Sequence, residues 1–234
     1  MSDWAMKRFW EAVSFEATDD GYLIKLDNRP VKTPAKTLLI VPNEVIAAHI
    51  ASEWEAQVET VDPLTMPWTR TANAAIDKVA VQRAGVIEHL SGYAGTDLLC
   101  YRAAGPDRLV QLQQQTWDPI LEWLAVHLNV SLRSTVGVMP VDQAPSDIAR
   151  LAKAMDPMTD FQLTGFHDLV GLSGSFVIGL AAAKNAFTIE ELWAASCLDE
   201  TWQIKQWGED VEARANIALK KQAFLHATEV YRAG

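Results

Sequence analysis

The carboxylate with the strongest claim to chemistry in this sequence is Glu200, set in a tryptophan-rich stretch. If residues 193–211 form one helix, Trp193, Cys197, Glu200, Ile204, Trp207 and Val211 recur at helical spacing and stack on one side. That side is apolar apart from Glu200. Breaking a buried ion pair costs about 3–5 kcal/mol, so an ionised carboxylate there calls for a cation, a proton or water. Arg102 and Arg70 are the cations an internal pair would use. Trp202 falls on the opposite side beside Leu198, Gln206 and Glu209, so aromatic surface lies on two faces, one of them a candidate for a partner. Glu190, Glu191, Asp199, Glu209, Asp210 and Glu212 surround this stretch, and charge runs on helices are usually solvated.

Other chemistry is harder to assemble. His49, His89, His127, His167 and His226 are scattered, and none has the spacing that puts two zinc ligands on one helix face, so no metal is expected. Gly171-Leu-Ser-Gly-Ser175 is close to a nucleophile elbow, but its second glycine comes one position early and no strand precedes it. An acyl hydrolase using Ser173 or Ser175 with His167 is the enzyme alternative, and it requires a Ser–His contact. The glycines at 165, 171, 174 and 179 lack the Lys-Ser/Thr pair of a phosphate loop, leaving close helix packing as their simpler role. His167 and Asp168 are adjacent on a helix and should not face each other. No cofactor is implied.

The elements that position these groups fall into two patterns. Residues 9–41 read as three or four short antiparallel strands (12–17, 22–26 and 38–41 the clearest), punctuated by Asp19-Asp20-Gly21 and Asp27-Asn28, with Pro30 and Pro34 at an edge or turn. Asn43 caps a helix that runs to Gln57 and packs on this sheet. Asp62-Pro63 and Met66-Pro67 form the expected boundary between a β-rich domain, 1–65, and a helical domain, 66–234. The second is read as helices over 71–81, 83–93, 106–129, 145–155, 160–172, 175–184, 188–197 and 199–231, with Pro119 as a kink or break and Thr188 as an N-cap. The fold class expected is α+β, a small mostly β amino-terminal domain followed by a larger helical bundle.

Composition narrows the partners. A net charge of −10 and a pI near 4.9 disfavour nucleic acid, whose affinity rests on Lys and Arg. The most apolar run, 171–183, is short of the roughly 20 residues that span a bilayer, so no membrane insertion is expected. Cys100 and Cys197 lie among apolar residues and read as reduced thiols. The first ten residues resemble neither a signal peptide nor a transit sequence, which points to a bacterial cytoplasm or an equivalent compartment.

Several blocks taken together resemble the assembly chaperone family of the ATP synthase catalytic head found in mitochondria and alphaproteobacteria. They are Leu26-Asp-Asn-Arg-Pro-Val-Lys-Thr-Pro-Ala-Lys36, Ala51-Ser-Glu-Trp-Glu-Ala-Gln57, Met66-Pro67 with Asn73-Ala-Ala-Ile-Asp77, and Thr96-Asp-Leu-Leu-Cys-Tyr-Arg102. Trp117-Asp-Pro119, Leu198-Asp-Glu-Thr-Trp-Gln203 and Gln206-Trp-Gly-Glu-Asp210 complete the set, in family order over nearly the whole chain. Trp68 departs from the aliphatic residue usual after Met-Pro. The resemblance implies a non-enzymatic protein without a cofactor that holds the unassembled alpha subunit and covers surface the beta subunit later occupies; the free protein is expected to be monomeric. It also implies an essential glutamate in the carboxyl-terminal helical region, matched here by Glu200, within an expected partner-binding set of Glu200, Trp202, Gln203, Trp207 and Asp210. The rival to it, besides the hydrolase, is a structural module with its tryptophans all internal and Glu200 paired within the chain.

Overall fold

The computed structural model describes residues 6–208 and 211–234; the side chains of Trp207 and of residues 211–213 are outside the description. The fold is α+β and divides into two compact units, the first comprising Met1–Arg83, Met158–Gly165 and Glu229–Gly234, the second Ala84–Pro157 and Phe166–Thr228.

In the first unit β1 (Val13–Thr18) and β2 (Gly21–Leu26) form an antiparallel hairpin in the register Val13↔Leu26 to Thr18↔Gly21. Gly21 has φ +135°, and a Cβ there would lie 2.4 Å from the Val41 carbonyl oxygen, so the turn admits no other residue without rearrangement. Strand β2 also pairs with β3 (Arg29–Pro30) and β4 (Ile40–Val41), so Pro30 ends a short strand that needs few donors. Asn43 accepts from the Ile46 N–H at 3.1 Å and starts α1 (Glu44–Glu55), whose buried stripe is Ile46, Ala47, Ile50 and Trp54. These residues close a core with Ile24, Leu26 and Val41, each large side chain contributing about 1.5–3 kcal/mol.

This core extends past residue 65, where the sequence places the domain boundary, since Met66, Trp68 and Ala72 belong to it. Pro67 opens α2 (Pro67–Ala74) as its first residue instead of marking a linker. Met66 supplies no side-chain cap; Glu53 of α1 accepts from the Trp68 N–H, the Thr69 N–H and the Thr69 hydroxyl at 2.6–2.8 Å. Burial raises the Glu53 pKa while these donors pull it down. Trp68 is buried, its ring stacked on His49 with centroids 4.3 Å apart.

A π-helical turn (Ala75–Val79) then leads into α3 (Ala80–Gly95), which bends at Gln82. In that turn Asp77 accepts from the Thr33 hydroxyl at 2.7 Å and the Ala35 N–H at 3.0 Å, fixing the loop that holds Pro34.

The described residues of the second unit are mainly helical and include a short parallel pair, β5 (Tyr101–Arg102) and β6 (Thr135–Val136). Its core gathers Leu99, Trp117, Leu124, Phe166, Phe176 and Phe224. Helix α4 (Asp107–Leu128) runs through Pro119 as one helix where the sequence predicts a kink or two helices. Pro119 and Gln115 are exposed, so the carbonyl that loses its N–H partner lies on the solvent side.

Helices α5 (Pro145–Lys153) and α6 (Asp160–Ser173) are followed by α7 (Phe176–Ala183), which is buried from Phe176 to Ala182 and packs on α4. Among the glycines read as packing contacts, Gly179 fits that role, because a Cβ there would come 2.8 Å from Val170 Cγ2. Gly171 faces open space and Gly174 takes φ +68°, so packing does not account for either. Among the described residues no helix is long and apolar enough to cross a membrane.

Candidate functional site

The stretch around Glu200 is not the single helix that its periodicity predicts. Thr188 and Glu191 form a capping box that starts α8 (Ile189–Ser196), and this helix ends at Cys197, whose φ and ψ of −101° and 13° leave the helical range. Helix α9 (Leu198–Trp207) follows, Gly208 at φ 94° ends it, and α10 (Val211–Ala233) begins beyond.

The break divides the expected apolar seam. Trp193 turns into the core against Phe224, ring centroids 5.5 Å apart. Glu200 sits in the first turn of α9, exposed, where a carboxylate complements the positive end of the helix dipole. The desolvation cost anticipated for a buried carboxylate therefore does not arise.

Neither arginine considered as an internal partner pairs with Glu200. Arg102 pairs with Asp118 at 2.7 Å, donates to the Leu99 carbonyl and lies over the Trp117 ring. Arg70 acts electrostatically on Glu53. Among the described residues Glu200 has no ion pair. Its charge is felt by Cys197, whose thiol pKa is raised first by burial and then by Glu200, against the Ser196 hydrogen bond and Lys220. Cys197 and Cys100 are both free thiols.

At about 100° per residue, Glu200 and Gln203 share one side of α9 and Trp202 points roughly 160° away from Glu200. Gln203 is exposed. Half-buried Trp202 faces α4 across a groove of about 440 Å³ bordered by Arg108, Gln111, Gln115 and Lys205. It also walls a smaller hollow of about 190 Å³ with Leu112, Ala194 and Leu198. The side chain of Trp207, and Asp210 altogether, lie outside the described residues.

The anchor of α9 escaped sequence reasoning. Gln113 of α4, buried, donates to Asp199 Oδ1 at 2.8 Å and accepts from the Ala103 N–H at 2.8 Å. Beside it the buried Trp117 indole donates to the Ala195 carbonyl at 2.9 Å. These bonds hold the junction of α8 and α9 against α4. Between residues 198 and 206, Leu198 alone is buried, so most of α9 is open surface.

The hydrolase alternative finds no assembled site. Ser173 is buried and donates to the Leu169 carbonyl at 2.7 Å. Ser175, also buried, caps α7 by accepting from the Ile178 N–H and donates to Asp97 Oδ1 at 2.7 Å. His167 instead meets Asp168, Nδ1 to Oδ1 3.2 Å, on a half-buried helix face; the two side chains do touch, contrary to the expectation for neighbours on a helix.

Among the described residues the most perturbed carboxylate is one that sequence reasoning did not single out. Asp97, fully buried, accepts from the Ser175 hydroxyl and from the N–H groups of Leu99 and Val177. Burial pushes its pKa up to about 6, against the pull of those donors. Burial also pushes the Cys100 thiol up to about 12, with Asp97 adding to the rise. Among the described residues no cluster of three His, Cys, Asp or Glu is gathered for a metal ion.

Comparison with known proteins places this arrangement. A family model described as ATP12 chaperone protein matches residues 7–125, half of the chain. The chain belongs to the ATP12 chaperone family. This is the family of ATP synthase assembly chaperones that the sequence blocks resemble. The crystal structure of Atp12 from Paracoccus denitrificans is 41% identical, covers 97% of both chains and superposes with a TM-score of 0.92. A mutant of the same organism's Atp12p, also 41% identical, covers 99% of both chains with a TM-score of 0.93. The mitochondrial protein atp12 of Schizosaccharomyces pombe is 25% identical over 232 residues, 93% of this chain and 80% of its own length.

Within the ATP12 fold seen here, several family-like blocks act as internal fasteners. Glu53, Asp77 and Asp97 each accept from the backbone of a distant loop or helix. Trp117 and Asp118 tie α4 to Ala195 and Arg102. Glu200 and Gln203, in contrast, face outward.

Proposed function

We propose that this ATP synthase assembly chaperone holds the unassembled alpha subunit of the catalytic head and shields its beta-contacting interface until the beta subunit displaces it. Helix α9 is the gripping element, with Glu200, Trp202, Gln203 and Trp207, and Asp210 after it in the sequence, as the contact set. The observation that carries this reading is the exposed Glu200, unpaired among the described residues, on a helix that contributes little to its own unit's core. A helix of ten residues is marginal by itself in water. Keeping one so sparsely packed makes sense where a second polypeptide completes its surroundings.

An isolated subunit of an obligate ring exposes an interface resembling a core cut in half, which aggregates unless covered. Partly exposed apolar surface at Trp202 contributes contact area, and Glu200 pairs with a cation of the alpha subunit. Such a pair must be desolvated, so its net contribution can be small although losing one partner is costly. That combination gives selectivity with modest affinity and leaves the complex displaceable. Because Glu200 and Trp202 point to different sides of α9, the partner wraps around the helix.

Pull-down with isolated alpha and beta subunits, separately and in competition, tests this. Capture of alpha, released by beta, is expected. Glu200→Gln should keep its fold and melting temperature while losing capture; binding of neither subunit by the native protein refutes the proposal.

A further inference from the structure

The groove between α4 and α9 has a chemistry of its own. In a chain of net charge −10 it is bordered by two exposed cations, Arg108 and Lys205, and among the described residues neither has a carboxylate partner. Gln111 and Gln115, one helical turn apart on α4, add neutral donors and acceptors along the same edge. The adjoining hollow is apolar, walled by Leu112, which is 37% exposed, and by Trp202, Ala194 and Leu198. Cations, amides and an apolar recess in line are complementary to a peptide that carries carboxylates next to an apolar side chain.

Resting on the holding role proposed above, we infer that this groove takes an acidic, partly apolar segment of the unassembled alpha subunit. The carboxylates of that segment lie between Arg108 and Lys205, and its apolar side chain fills the hollow against Trp202 and Leu112. Two opposite charge contacts, the cations here and Glu200 on the far side of α9, fix the direction in which the partner lies on the helix. A partner docked in reverse would set like charges together, which is unfavourable.

The test uses the full chain carrying Arg108→Glu with Lys205→Glu, and a neutral pair of Arg108→Gln with Lys205→Gln. Each is checked for native circular dichroism and melting, then measured for equilibrium capture of the isolated alpha subunit. Charge reversal is expected to weaken capture about tenfold or more, the neutral pair less, as for charge contacts across an interface. Raising salt from about 50 to 300 mM should weaken the native protein more than the neutral pair, because screening acts on the charges removed.

Capture within about twofold of native by the reversed variant, well below the loss that charge complementarity predicts, overturns the inference while leaving the holding role intact. Self-association that charge reversal abolishes, with alpha capture unchanged, gives the groove to a second copy and overturns it equally. Failure of the native protein to capture alpha refutes the holding role and removes this inference with it.

Discussion

Replacing Asp97 by Ala isolates one buried carboxylate. The substitution leaves the Ser175 hydroxyl and the N–H groups of Leu99 and Val177 without their acceptor. At about 2 kcal/mol for each orphaned donor, the cost is about 6 kcal/mol before the charge is considered. Burial has moved the Asp97 pKa from 3.8 to about 6, so between those values the folded state keeps a proton that the unfolded chain has lost. Stability therefore falls as pH rises through this window, by about 3 kcal/mol for a shift near two units. Above about 6 there is no further change from this group.

Asp97→Ala removes that dependence, so its net cost should be about 6 kcal/mol near pH 4 and about 3 kcal/mol near pH 7. Urea unfolding of both proteins, followed by circular dichroism across the range, measures the difference directly and cancels the titration of every other group. A difference that stays flat, or grows with rising pH, would show that Asp97 is not held against desolvation as described.

Three further outcomes are expected. Glu53→Ala strips the N-terminal cap from α2 and should cost about 1–2 kcal/mol in chemical denaturation; no loss would mean that the capping bonds are replaced within α2. Gly179→Ala puts a methyl 2.8 Å from Val170 Cγ2, between two packed helices, and should cost about 1–3 kcal/mol by overpacking, visible as a lowered melting temperature. With its pKa raised to about 12, Cys100 carries almost no thiolate at pH 8, so iodoacetamide should label it only after unfolding; rapid labelling of the native protein would contradict its burial.

Signals confined to a few neighbouring residues were legible in the sequence. Asn43 and Thr188 accept from backbone N–H groups within the next turn, and the Asp19-Asp20-Gly21 turn sets the hairpin register by itself. The Cys197 break was not legible, because the apolar period runs on across it. What ends α8 there involves remote partners: Trp193 against Phe224, and the Trp117 indole on the Ala195 carbonyl. Glu53 was likewise hidden as a cap, since the Trp68 N–H that it accepts from lies 15 residues further along the chain. Asp97 stood in a family-like block without any local hint of burial, because the groups that enclose it come from α7.

The order of strand-like and helix-like patterns, and the family blocks spread along them, established the α+β class and the ATP12 family from the sequence alone, because local hydrogen bonding and hydrophobic period act between near neighbours. Tertiary packing alone decided that Glu200 faces solvent instead of an apolar seam, that Trp202 turns toward α4, and that Arg108 and Lys205 border one groove. Those outcomes depend on where one helix stops and which other helix it meets, and contacts between distant residues fix both.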